Sequence, residues 1–279
     1  MNFFIKFLLF LQTEMPTPKP YGWYHFLWIG LTVFAIALLF LLRKHGGEKQ
    51  LKWVLGIYGS IAALTELLKQ ISWSFQWDPA TQSAIWDYQW YAAPFQLCST
   101  PIYLSLLSLF LKKGKLRDSC LSYLSLVTIL GGLMTILIPT SCFCGDILVN
   151  IHTMWLHCGC FVLAVYLLMS GTVKLQRQSW VRGLMVFFVM AVIALALNLG
   201  VYHSGALGDE SFNMFYISPY FISVLPVFDA IQQAVPYPVF LALYLVAITL
   251  GGLVVFLAAK AIAQGVKKYK LRVIEPANK

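Results

Sequence analysis

Seven stretches of this chain run nearly free of charged side chains for about 17 to 25 residues each, the length an α-helix needs to cross the hydrocarbon of a bilayer. They cover residues 21–42, 53–73, 93–111, 120–138, 151–170, 180–202 and 238–262. Only 11% of the 279 residues are charged, against 59% hydrophobic, and the mean hydropathy is +0.75. A soluble domain carries roughly 25% charged residues, so this chain lacks the polar surface to cover itself in water. Its 15% aromatic content excludes disorder, and six cysteines are too few for a disulfide-dense mini-protein. The expected fold is an all-α integral membrane protein with about seven transmembrane helices.

The net charge of +9 would suggest nucleic acid if it were spread over a folded face, but Lys and Arg sit in loops. Arg43, Lys44, Lys49 and Lys52 follow the first stretch; Lys112, Lys113, Lys115 and Arg117 follow the third; Lys174, Arg177 and Arg182 follow the fifth; Lys267, Lys268, Lys270 and Arg272 lie in the tail. The alternate connections hold no Lys or Arg. Short cytoplasmic loops collect these residues, so the N-terminus is expected outside and the C-terminus in the cytoplasm, with Lys6 and Lys19 running against the pattern. The basic tail reads as an anchor to lipid headgroups, and nucleic-acid binding is not supported.

Three regions follow: an N-terminal interfacial segment (1–20), a seven-helix transmembrane domain (21–265) and a basic cytoplasmic tail (266–279). Residues 1–11 are apolar but too short to span, carry Lys6 in the middle and lack an Ala-x-Ala-like site, which fits an interfacial helix better than a signal peptide. No internal repeat is evident. The connection 203–236 mixes apolar residues with Pro219, Pro226 and Pro236. It either lies in the interface or dips back as a lid, because irregular backbone facing lipid is too costly.

Polar groups inside spans mark function by default, since each is costly unless paired or wetted. The second stretch carries Glu66 and Lys69, the third Gln96 and Cys98, the fifth His152 and His157, the sixth Asn198. With the inferred orientation all fall in the outer half of their helices, which predicts a wet cavity opening to the outer leaflet. Bland readings stand beside this one: an intrahelical Glu66–Lys69 ion pair, and Asn198 as packing glue between helices. His152 and His157 are five apart, about 140° around a helix, so one small site does not easily take both. His157, a turn deeper, is the harder to explain as a bystander.

Cys98 stands out because Pro94 and Pro101 bracket it. Pro101 cannot donate to the Leu97 carbonyl, so a distorted helix is expected beside the thiol. Cys120, Cys158 and Cys160 read as packing residues. Cys142 and Cys144 with His152 lack a convincing fourth ligand for a metal, and no haem, nucleotide or flavin motif is present, so neither metal nor cofactor is expected. A thiolate becomes a nucleophile when a histidine takes its proton. Cys98 and His157 are the pair whose depth permits that contact, and attack on a lipid ester would give an acyl-thioester.

Three runs carry a resemblance: Pro94-Phe95-Gln96-Leu97-Cys98, then His157-Cys158-Gly159, then Asn213-Met214-Phe215-Tyr216 with Asp229 and Val235-Pro236-Tyr237-Pro238. Over most of the core the chain resembles the YwaF-type integral membrane family, related to eukaryotic transmembrane ether-phospholipid acyltransferases and, more remotely, to the androgen-induced lipid-ester hydrolases. The first run is similar to that family's Pro-x-His-Leu-Cys motif, with Gln96 in place of the histidine. The resemblance implies Cys98 as nucleophile, His157 as its base and Asn213 as a residue lining the site. It also implies membrane phospholipids as substrate and solvent, in a multi-pass protein of a bacterial cell membrane. Two functions remain open: a lipid acyltransferase or acyl hydrolase, or a transporter or receptor in which Glu66, Lys69, Asn198 and His157 bind a small polar ligand.

Overall fold

The computed structural model describes residues 2–139 and 142–274, and the protein is an all-α membrane protein. The side chains of Arg43, Lys44, Lys267, Lys270 and Arg272, and tail residues 275–279, lie outside the described set. Among the described residues, six helices are long and apolar enough to cross a membrane. The stretch expected to supply a seventh holds only a shorter apolar helix, Thr100–Phe110.

Helix α1 (Phe3–Leu11) starts where Asn2 Oδ1 accepts the Ile5 amide at 2.9 Å, the usual role of asparagine at a helix start. It buries Leu8 and Leu11 in a cluster with Phe75 and leaves Phe3, Phe4, Phe7 and Phe10 exposed. The helix thus has one packed face and one bare apolar face. A 52-residue helical run, Trp23–Ser74, is broken at Gly47, where φ is +44° and ψ −133°. Only glycine takes such a φ without strain. The two arms are α2 (Trp23–Leu42) and α3 (Gly47–Ser74). Beyond α3 a hairpin that sequence alone did not suggest pairs β1 (Phe75–Asp78) antiparallel with β2 (Ser83–Trp86).

The span expected at 93–111 is replaced by a half-length helix, α4 (Thr100–Phe110), about 16 Å long at 1.5 Å per residue. Pro101 does not kink a helix here. It opens one, at the first-turn position where its missing N–H costs nothing. The Leu97 carbonyl that Pro101 cannot satisfy accepts Thr100 Oγ1 at 2.8 Å. Cys98 therefore sits in the turn before α4, with its backbone outside any regular helix.

Helices α5 (Lys115–Leu126) and α6 (Ile129–Leu137) form one span, Lys115–Leu137, with a break at Val127–Thr128. The amides of Val127 and Thr128 both donate to the Tyr123 carbonyl, a local π-type widening that bends a helix. Every residue from Cys120 to Ile129 is buried, so α5 is the axis of the bundle. Around it stand α7 (Ile147–Met169) and α8 (Arg177–His203). Gly183 of α8 lies so near the Ser122 backbone that a Cβ would come within 3.2 Å of its carbonyl. The chain ends with α9 (Phe228–Ala234) and α10 (Tyr237–Ile274).

The α8–α9 connection takes the second of its two expected courses. Met214, Phe215, Ile217 and Ser218 are buried, the first three among the core side chains of α5 and α8, so the segment dips back into the bundle. At the opposite end, Arg117 is buried, donates Nε to the Ser108 carbonyl at 3.2 Å and pairs with Glu48, which Lys113 also approaches at 3.5 Å. Three helix ends are tied there by one guanidinium.

Candidate functional site

A cavity of about 520 Å³ opens between α3, the turn before α4, the first half of α7 and the α8–α9 connection. Lys69, Gln96, Cys98, His157 and Asn213 all line it. Of the four stretches that the depth argument joined, three meet here, through Lys69, through Gln96 with Cys98, and through His157; Asn213, which the family resemblance implied, comes from the α8–α9 connection. Glu66 stands directly behind the wall, bonded to Lys69. Asn198 is fully buried elsewhere and does not reach the cavity.

His152 lines the cavity as well, contrary to the expectation that the two histidines would not share a site. The cavity is wide enough to wrap α7 through Val149, His152, Thr153, Leu156 and His157, so residues 140° apart occupy its two flanks. The histidine missed from sequence is the more heavily bonded of the pair. Its Nε2 lies 2.9 Å from Glu66 Oε2 and its Nδ1 3.0 Å from Thr65 Oγ1. The helical spacing of Thr65, Glu66 and Lys69 was visible; the packing of α7 across them was not.

Glu66 is the hub. Its Oε1 is 2.8 Å from Lys69 Nζ and accepts Gln70 Nε2 at 2.8 Å, while Oε2 faces His152. A carboxylate this deep is tolerable only when paired and hydrogen-bonded, and here three side chains surround it. Lys69 also stands over the Trp73 ring, 5.7 Å from its centroid, and approaches the Ala92 carbonyl at 3.5 Å. The intrahelical pair foreseen as a self-cancelling unit is present, but it extends across helices to His152.

His157 has a different environment. Its ring is hydrogen-bonded to the backbone of Gly131 in α6, a contact that orients the imidazole, and its side chain lines the cavity. Both His152 nitrogens, in contrast, are already engaged. Cys98 packs against Ala62, Ile102 and Leu156, and its sulfur is hydrogen-bonded by Ser99 and faces the charges of Lys69 and Glu66. A thiol and an oriented imidazole therefore line one cavity.

Two amide side chains hold the cavity's roof. Gln96 Nε2 donates to the Asn213 carbonyl at 2.9 Å and Gln96 Oε1 accepts the Phe215 amide at 2.9 Å. Asn198 Nδ2 donates to the Met214 carbonyl at 3.0 Å and its Oδ1 accepts the Met214 amide at 2.7 Å. Asn213 is itself spent on local bonds, accepting the Ser218 amide and donating to the carbonyls of Phe221 and Ile222. The clamped segment is strained: Phe215 and Tyr216 have φ of +59° and +57°, a left-handed conformation that costs about 1–3 kcal/mol per non-glycine residue. Gln96 and Asn198 are positioning residues for this roof.

Among the described residues no group of three or more His, Cys, Asp or Glu side chains could hold a metal ion. The model of the TMEM164 family, a transmembrane protein family, matches residues 20–257, which includes the whole cavity and every span except the end of the last, Tyr237–Val266. The chain belongs to the TMEM164 family. Neither the curated proteins nor the solved structures contain a significant match. As a TMEM164 family member the chain is a multi-pass integral membrane protein.

Proposed function

We propose that this TMEM164 family protein transfers or hydrolyses acyl groups of membrane lipids through a Cys98 acyl-thioester. The observation that carries the reading is the joint presence of Cys98 and His157 on the wall of one cavity. His157, oriented by Gly131, takes the Cys98 proton. The thiolate attacks the ester carbonyl carbon, forming a C–S bond and moving the carbonyl pair onto oxygen. Collapse restores the carbonyl and breaks the C–O bond, and the leaving alcohol takes the proton from His157. A second lipid hydroxyl, or water, then attacks the thioester while giving its proton to His157, and the thiol is regenerated.

The kinship with ether-phospholipid acyltransferases, drawn from the Pro94–Cys98 run, belongs to this reading. So does the orientation in which the Lys- and Arg-poor end, where the cavity lies, faces outward. Glu66, Lys69 and His152 form a fixed charge array beside the thiol, which favours a lipid whose polar headgroup enters with the ester.

The test is incubation of the full-length protein, in lipid, with a p-nitrophenyl acyl ester. The expected result is a burst of nitrophenol and acyl label on Cys98, lost in Cys98→Ala and slowed in His157→Ala. Label that persists in Cys98→Ala would overturn the reading and leave a small-ligand transporter or receptor as the better account of the cavity.

A further inference from the structure

An acyl-thioester mechanism needs a donor for the oxygen that becomes negative when sulfur attacks, and the polar groups around Cys98 narrow the choice. The Gln96 amide is committed to Asn213 and Phe215, and the Asn213 amide to Phe221 and Ile222. Tyr58 donates to the Leu156 carbonyl and Tyr103 to the Pro94 carbonyl. Ser99 is turned to the Cys98 sulfur. Tyr91 lines the cavity but is half exposed.

Tyr216 differs from all of these. It lines, from the roof, the same cavity that Cys98 lines from the wall, and among the described residues its hydroxyl has no hydrogen-bond partner. A phenol holds its proton at neutral pH, so it is a ready donor. Its backbone is the strained φ +57° position that the two amide clamps enforce. Residues held in sparsely populated conformations persist where surrounding bonds over-determine them, and they cluster at functional sites. Neither clamp contributes a polar atom to the chemistry; both fix the segment that aims Tyr216.

We propose that Tyr216 is a catalytic residue whose hydroxyl donates a hydrogen bond to the carbonyl oxygen of the ester as Cys98 attacks. This rests on the Cys98 acyl-thioester reading. As the C–S bond forms, the carbonyl pair moves to oxygen and is stabilised by the Tyr216 O–H, which keeps its proton. When the pair returns and the C–O bond breaks, the departing alcohol is protonated by His157, so Tyr216 neither gains nor loses a proton over the cycle.

The experiment compares wild type and Tyr216→Phe as full-length proteins in lipid, using a p-nitrophenyl ester and its thionoester, whose sulfur accepts hydrogen bonds poorly. Expected is an acylation rate lower by about 10²-fold with the oxygen ester, a KM within about twofold, an unchanged melting temperature, and a loss of the wild-type preference for oxygen over sulfur. Acylation of Tyr216→Phe at the wild-type rate, or equal losses on both esters, would overturn the role while leaving Cys98 in place. A wild type that shows no preference between the two esters would overturn it without recourse to any variant. Absence of label on wild-type Cys98 would remove the thioester reading and this inference with it.

Discussion

Asn198 grips Met214 at both its backbone groups, accepting the amide at 2.7 Å and donating to the carbonyl at 3.0 Å. Both residues are fully buried, and the grip joins the C-terminal half of α8 to the roof of the cavity. An asparagine in a span is ordinarily explained as glue between helices. Here it binds a helix to irregular chain, which is how such chain becomes tolerable at membrane depth.

Asn198→Leu therefore leaves two buried backbone groups of Met214 without partners, at a cost of about 2 to 4 kcal/mol. The expected outcome is a lower melting temperature and faster chymotrypsin cleavage between residues 212 and 221. Asn198→Asp keeps the acceptor for the Met214 amide but loses the donor, and is expected to fall between Leu and wild type. Equal protease resistance in all three would show that the roof does not depend on the clasp.

The site's composition was legible in the sequence to the extent that depth decides it. Cys98, His157, Lys69 and Gln96 reach one cavity because residues that are costly in lipid must converge where water or protein meets them; Asn213, which joins them there, was marked by the family resemblance alone. What could not be read was which polar group serves another. Asn198 has the same chemistry whether it faces a ligand or the Met214 backbone, and His152 gave no hint of Glu66 because the α3–α7 register is set by packing between distant segments. The prolines around Cys98 read as the mark of a distorted span, but Pro101 lies in the first turn of α4 and Thr100 bonds the Leu97 carbonyl, so they mark a helix start instead.

The Glu66 array supplies a prediction about stability apart from chemistry. Glu66 and Lys69 have side-chain exposures of 7% and 11%, and Glu66→Gln strips the neutralising charge from Lys69 while weakening the contact with His152. Removing one partner of a buried pair typically costs about 3 to 5 kcal/mol. The double variant Glu66→Gln, Lys69→Met is expected to recover part of the loss, because no unpaired ammonium remains. Melting of the two singles and the double in a thermodynamic cycle measures the coupling; strict additivity would show that the pair is incidental.

At the opposite end, Arg117 and Lys113 both approach Glu48 but differ in burial. Arg117 is 4% exposed and also holds the Ser108 carbonyl, whereas the Lys113 side chain is 77% exposed and exposed pairs contribute little. Arg117→Met is expected to lower the melting temperature by several degrees and Lys113→Met by less than one. A comparable loss in both would place the stabilisation in net charge at that end of the bundle.

The glycine pair of α6 gives the sharpest contrast. Gly131 and Gly132 are neighbours in the chain, yet a Cβ on Gly131 meets open space while one on Gly132 would lie 2.7 Å from the His157 carbonyl and 3.0 Å from Phe161 Cβ. Backbone cannot yield as a flexible side chain does, so Gly132→Ala must push α6 from α7 at the turn that carries His157. Overpacking of this kind costs about 1 to 3 kcal/mol, and it also shifts the imidazole relative to the Gly131 backbone that orients it. Gly131→Ala is expected to melt at or above the wild-type temperature, since alanine favours helix by about 1 kcal/mol, with acylation unchanged. Gly132→Ala is expected to melt lower and to acylate Cys98 more slowly; if it matched Gly131→Ala in both measurements, the close approach of α6 to α7 would have no bearing on the base.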